Sequence, residues 1–136
     1  MVLKELSVQA YWPFKQIDVE ISQKASLLGE FFIASLNNYE TYRTGKIVIR
    51  FTRSDINEVN GNRIRKNRAD VLLDTVEFCV DFNWYQKIPK EDQMKYQWLT
   101  ICDSVIRIAK QLDWDKEPLI PIFQKGIDSN FGLGFA

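Results

Sequence analysis

The sequence contains no histidine, and this absence narrows the chemistry open to the chain. Without an imidazole, neither a serine nor a cysteine nucleophile has its usual activating base. The commonest zinc and iron ligand sets are excluded for the same reason. No glycine-rich phosphate loop precedes a predicted helix either. We therefore expect that the chain is not an enzyme and that it carries no cofactor.

Cysteine, net charge and long apolar runs are also scarce. Cys79 and Cys102 fall in separate predicted elements, which favours reduced thiols without a nucleophilic role over a disulfide. Eighteen basic and eighteen acidic residues cancel, so no net field marks a nucleic-acid or membrane binder. No apolar run reaches the roughly 18 residues that span a bilayer, and no signal-peptide core follows Met1. We expect a cytoplasmic protein with no membrane partner.

Apolar periodicity is what the sequence does contain, and it predicts one α+β domain over residues 1–136. From Val76 to Trp84 the large apolar residues occupy every second position, which predicts a strand with one buried face. From Met94 to Leu112 they recur at three- and four-residue steps, which predicts an amphipathic helix. We interpret this unit as a helix packed across a sheet.

The rest of the chain extends this pattern. Residues 6–22 alternate on both sides of a proline and predict a hairpin, with a single bent edge strand as the alternative. A helix is expected over 23–39, with Gly29 packed closely against the sheet, and a strand over 47–51. The prolines of 117–123 predict an edge strand or an extended segment. The order β-β-α-β-β-α-β predicts a two-layer sandwich, a mainly antiparallel sheet with two helices on one face.

A basic loop is the first candidate site, and it contains a strong turn signal at Asn60-Gly61. Guanidinium groups form bidentate pairs with oxyanions, so the loop has the composition to bind phosphate or an acidic partner. The alternative is a solvated excursion whose charges keep a sheet edge from aggregating. Its cations are Arg53, Arg63, Arg65, Lys66 and Arg68.

The polar face of the strand Val76–Trp84 is the second candidate. Glu77 and Asp81 lie on that face with Asn83, and Asp18 and Glu20 would join them from a neighbouring strand. Carboxylates at this spacing can hold a hard cation, serve as a hydrolytic pair or dock on a basic protein surface. The alternative is an ordinary solvent-facing side of a sheet.

Aromatic residues are the third candidate. Trp84 and Trp98 fall on apolar stripes and are assigned to the core. The tyrosines off the stripes have the composition of interface hot spots: Tyr11, Tyr42, Tyr85 and Tyr96. Of these, Tyr85 is the tyrosine that we assign to partner binding.

In its overall build the chain resembles the small α+β immunity proteins that accompany bacterial polymorphic and contact-dependent toxins. The resemblance covers the strand Val76–Trp84, the helix Met94–Leu112 and its ending Gln111–Asp115. It implies a stoichiometric protein-binding module that neutralises a cognate toxin by covering its active site or surface. The partner-binding residues would be Arg63, Arg65, Lys66, Arg68, Glu77, Asp81 and Tyr85. The alternative hypothesis is a nucleic-acid-binding domain that uses the loop Arg53–Arg68.

Overall fold

The computed structural model describes residues 1–10, 15–52, 58–59, 62–63, 68–81 and 87–129. Short 3₁₀ turns at Lys90–Asp92 and Glu117–Leu119 precede the second and third helices. The elements are β1 (Glu5–Ala10), α1 (Lys15–Ala34), β2 (Lys46–Thr52), β3 (Glu58–Val59), β4 (Asn62–Arg63), β5 (Arg68–Leu72), β6 (Thr75–Asp81), α2 (Gln93–Leu112) and α3 (Ile120–Asp128).

The main sheet has the strand order β1-β2-β6-β5, and its first three strands run parallel. Only β5 is antiparallel; it joins β6 through the turn Leu73–Asp74. The prediction of a mainly antiparallel sheet is therefore wrong. The crossover helix α1 returns the chain to the start of the sheet, so β2 can run in the same direction as β1. One-faced alternation is typical of antiparallel sheets, and here it occurs in parallel strands.

Two predicted strands are helical, so the order β-β-α-β-β-α-β is wrong as well. The backbone from residue 15 onward belongs to α1, which replaces the second half of the predicted hairpin. The apolar alternation in this segment spans only a few positions, and Ile17 and Ile21 also continue the helical spacing of Leu28 and Phe32. The segment 117–123 lies in a 3₁₀ turn and α3 because proline is well tolerated in the first turn of a helix.

Other predictions are confirmed. The helix expected from Met94 is α2, and the strand expected around Ile47 is β2. The predicted central strand is β6, which ends at Asp81; Trp84 lies outside the described residues. The strands β3 and β4 pair on either side of Asn60-Gly61, as the turn signal predicts. The strand β5 was not predicted.

The core lies between the helices and one face of the sheet, and Trp98 is its centre. Its fully buried indole contacts the rings of Phe31 and Phe32 at centroid distances of 5.6 and 5.8 Å. Its Nε1 donates a hydrogen bond to the Phe123 carbonyl at 3.0 Å. The strands contribute these buried side chains: Leu6, Val8, Ile47, Ile49, Phe51, Val76, Phe78 and Val80. The prediction for Trp98 is confirmed.

Gly29 lies where α1 crosses β1. A Cβ atom at this position would be 2.6 Å from the carbonyl oxygen of Leu6, so the helix can approach the strand only without a side chain there. The predicted close packing is confirmed. None of the helices in the described part of the chain combines the length and hydropathy needed to cross a membrane.

Candidate functional site

The parallel course of β1, β2 and β6 brings three chain segments to one edge of the sheet. These strands end at Ala10, Thr52 and Asp81, and the register pairs Ala10 with Phe51 and Thr52 with Asp81. The three strand ends therefore lie side by side, and the segments 11–14, 53–57 and 82–86 follow them in the chain. We call the end of the sheet that these three strand ends form the carboxyl edge. Ligand sites of parallel sheets lie at the carboxyl ends of their strands.

Several sequence-predicted residues belong to the carboxyl edge. Asp81 is the last residue of β6, and Arg68 begins β5 opposite Cys79, two positions from Asp81. Arg68 of the basic loop and Asp81 of the acidic strand, which the sequence places in separate patches, are thus close in the backbone. Arg63 belongs to β4. Arg65, Lys66 and Tyr85 lie outside the described residues, and the chain reaches them from Arg68 and Asp81.

Glu77 lies farther back, on the sheet face opposite the helices. Its Oε1 accepts a hydrogen bond from Arg50 Nη2 at 2.7 Å, and the two side chains are 31% and 28% exposed. On the same face, Lys46 Nζ lies 3.7 Å from Glu5 Oε2. The face therefore carries charges of both signs that pair with each other, and we call it the open face.

The expected neighbours of Glu77 differ from those observed. Asp18 and Glu20 lie in α1, so the prediction that they extend an acidic strand face is wrong. In the register Glu77 stands opposite Asp70 of β5, which the sequence analysis missed because it did not predict that strand. No group of three metal-binding side chains occurs among the described residues.

The tyrosines separate into different environments. Tyr42 is exposed, but it precedes β2 and lies at the opposite end of the sheet from the carboxyl edge. At that end of the sheet, the Gly45 N–H donates a hydrogen bond to the Asp74 carbonyl at 2.8 Å. Tyr96 is partly buried against the core. Tyr11 and Tyr85 lie outside the described residues and follow β1 and β6 in the chain.

The two thiols are free, with Cys102 buried and Cys79 half-buried. Burial raises the pKa of the Cys102 thiol, and the nearby Asp103 carboxylate raises it further. A thiol in this environment remains protonated at neutral pH and is a poor nucleophile. The described geometry of Cys102 therefore agrees with the inert thiol that the sequence predicts.

Two clefts that described residues line lie away from the carboxyl edge. The larger, about 360 Å³, lies between the start of β1 and α1, where Lys4, Leu6, Glu30 and Ile33 line it. The smaller, about 290 Å³, lies beyond the end of α1, beside Tyr39 and Asp115. Neither is lined by a sequence-predicted site residue. No protein family, curated protein or solved structure shows significant similarity to this chain.

Proposed function

We propose that the chain is a stoichiometric protein-binding module whose partner docks on the carboxyl edge. The observation that supports this proposal is the parallel course of β1, β2 and β6, which brings three strand ends together. In the sequence each of these ends is followed by a segment rich in polar or aromatic residues. Tyrosine, tryptophan and arginine are the residue types enriched at interface hot spots. The segments at this edge, with the ends of β5 and β6, contain Tyr11, Trp12, Arg53, Arg68, Asp81, Trp84 and Tyr85.

The mixed charge of the carboxyl edge fits recognition by complementary charge. Opposite charges across an interface speed association and select the correct partner. A partner that offers acidic groups would meet Arg63, Arg65, Lys66 and Arg68, and one that offers basic groups would meet Asp81. The partner that the resemblance implies is a bacterial toxin, whose active site or another essential surface the chain would cover. This role rests on the resemblance alone.

Photocrosslinking tests the location of the interface. A benzophenone amino acid replaces Tyr85 in one variant. In the matched control it replaces Tyr42, an exposed tyrosine at the other end of the sheet. We expect Tyr85 to give a heterologous adduct of defined mass in cells that express the chain. The product of an adjacent reading frame is the first partner to examine. Adducts at Tyr42 but not at Tyr85 would contradict the proposal.

Charge reversal then tests the mechanism with the captured partner. We expect either Arg65→Glu or Asp81→Lys to weaken binding by about 2–5 kcal/mol, because a buried charge loses its partner. The other reversal should be tolerated, since one sign of charge faces the partner. Lys125→Glu is the control, because it makes the same charge change as Arg65→Glu at an exposed residue of α3. Indifference of the affinity to both reversals would rule out this mechanism.

A further inference from the structure

Two tight turns meet at the end of the sheet opposite the carboxyl edge. The first is closed by the Thr44 N–H, which donates to the Thr41 carbonyl at 3.3 Å. The second joins β5 to β6 through Leu73 and Asp74. The Gly45 N–H, directly after the first turn, donates to the Asp74 carbonyl at 2.8 Å. The backbone therefore holds the two turns next to each other.

Each turn presents a large apolar side chain at a left-handed position. Tyr42 is 71% exposed with a φ of 60°, and Leu73 is 94% exposed with a φ of 57°. Glycine adopts this conformation freely, whereas it is strained for other residues, and such strain clusters at functional sites. The Met1 side chain, 54% exposed, lies against Gly45 between them, with Sδ 3.2 Å from where a Cβ would be. These are the three most exposed large apolar residues in the described part of the chain, and exposed apolar patches mark interaction surfaces.

A charged residue follows the apolar residue of each turn. Arg43 follows Tyr42 and Asp74 follows Leu73, and both charged side chains are exposed. Neither forms an ion pair with another described residue, and the Asp74 carboxylate accepts a hydrogen bond from the Thr75 hydroxyl at 3.4 Å. One turn thus offers an apolar group with a cation, and the other an apolar group with an anion. We call these side chains, with that of Met1, the amino-end patch.

We propose that the amino-end patch binds the same patch of a second copy of this chain about a twofold axis. A twofold rotation exchanges the two turns, so Tyr42 and Arg43 of each copy meet Leu73 and Asp74 of the other. The charges are then complementary at both contacts. A lipid surface fits less well, because its anionic headgroups would face the Asp74 carboxylate.

The geometry of this dimer has two consequences. The carboxyl edges of both copies stay free, because they lie at the other end of each sheet. The contact is confined to two turns, and interfaces below about 1,200 Å² are typical of weak association. The dimer therefore forms reversibly with concentration.

Sedimentation equilibrium of charge-reversed variants tests the charge complementarity. We expect wild type to associate, and Arg43→Asp and Asp74→Arg each to be monomeric at the same concentrations, because like charges then meet at both contacts. An equal mixture of the two variants should form a heterodimer, since every acidic group of the first then meets a basic group of the second. This recovery excludes misfolding as the cause of the loss. Lys110→Asp, the same charge change at an exposed residue of α2, is the control and should associate like wild type.

A glycine substitution tests the apolar contact without disturbing the fold. Leu73→Gly removes a side chain that is buried twice in the dimer, so it should weaken association by roughly a hundredfold. Its melting temperature should be unchanged or higher, because glycine relieves the left-handed strain. Leu99→Ala, at an exposed leucine of α2, is the control and should associate like wild type.

Photocrosslinking separates a second copy from any other occupant. A benzophenone at Tyr42 should give an adduct of twice the mass of the chain, unlike the heterologous adduct expected at Tyr85. A wild type that stays monomeric would refute the inference, including the case in which Tyr42 captures a different protein or the chain binds anionic vesicles. A mixture of charge variants that stays monomeric, or full association of Leu73→Gly, would refute it as well.

Discussion

Replacing Gly126 with alanine should destabilise the protein by about 2 kcal/mol, although alanine is the better helix former. The new Cβ would lie 2.2 Å from Cε2, 2.3 Å from Cζ2 and 2.6 Å from Nε1 of Trp98. The indole cannot retreat easily, because it is fully buried against Phe31 and Phe32 and its Nε1 donates to the Phe123 carbonyl. The methyl group therefore forces α3 away from α2.

The magnitude follows from three contributions. Overpacking a dense core costs about 1–3 kcal/mol, and loss of the Trp98 hydrogen bond costs about 1 kcal/mol. The gain in helix propensity from glycine to alanine offsets about 1 kcal/mol of this. The steric conflict therefore outweighs the gain in helix propensity, and the free energy of unfolding should fall. The same substitution at a glycine in an exposed helix interior would stabilise the fold.

Urea unfolding followed by circular dichroism measures the effect as a lower midpoint at an unchanged slope. Lys125→Ala, at an exposed neighbouring position of α3, is the control and should stay within about 0.5 kcal/mol of wild type. Trp98→Phe removes the ring that carries Nε1, so Gly126→Ala should cost less in that background, with a coupling of about 0.5–3 kcal/mol. An unchanged or higher midpoint for Gly126→Ala, or zero coupling, would refute the reasoning.

Burial, and secondarily the Asp115 carboxylate, raises the pKa of Tyr39 to about 12, and its hydroxyl donates to the Asp115 carbonyl. Unfolded tyrosine ionises near pH 10, so wild type should lose stability as the pH rises from about 10 to 12. Tyr39→Phe should lower the free energy of unfolding by about 1 kcal/mol at neutral pH. Its urea midpoint should fall less than that of wild type as the pH becomes alkaline. Equal alkaline slopes would contradict this. In double-mutant cycles, Arg50→Met with Glu77→Gln should give a coupling of about 0.5–1 kcal/mol, against about 0.3–0.5 for the more exposed pair Asp103–Arg107. If the two pairs gave equal couplings with the same dependence on salt concentration, this prediction for the partly buried pair would be wrong. For the alternative hypothesis of a nucleic-acid-binding loop, we expect no retention in filter binding at low salt. Retention at low salt would favour the nucleic-acid hypothesis over the protein-binding proposal. The logarithm of the affinity should then fall with the logarithm of the salt concentration, with a slope of about one for each neutralised phosphate.

Local patterns in the sequence predict the elements better than they predict the arrangement of the sheet. The long stripe of α2 and the alternation of β2 and β6 are local signals, and the structure confirms these elements. Strand direction depends on the connection between strands. The sequence does not predict the crossover helix, because the short apolar alternation of residues 15–22, which are helical, fits a strand and a helix equally well.

The arrangement of the site was less predictable than its residues, because it depends on strand order. Arg68 and Asp81 were chosen for their charge, but their backbone proximity follows from β5 pairing beside β6. The ion pair between Glu77 and Arg50 joins residues 27 positions apart, so no local pattern reports it. Gln111 is a similar case, because the edge amide that its side chain caps belongs to a residue 42 positions away.

The buried strand residues that pack with the described helices lie on the other face of the sheet from the open face. Parallel sheets are usually buried on both faces, and on the open face Val48 is buried, with Ser7 and Glu77 opposite it on the neighbouring strands. The aliphatic stems of lysine and arginine can cover apolar surface while their charged ends stay in water. The pairs Lys46–Glu5 and Arg50–Glu77 hold these side chains across the strands. A partner docking on the open face would have to desolvate charges that are already paired, which is costly. This cost is a reason to place the proposed interface at the carboxyl edge, where β1, β2 and β6 end together.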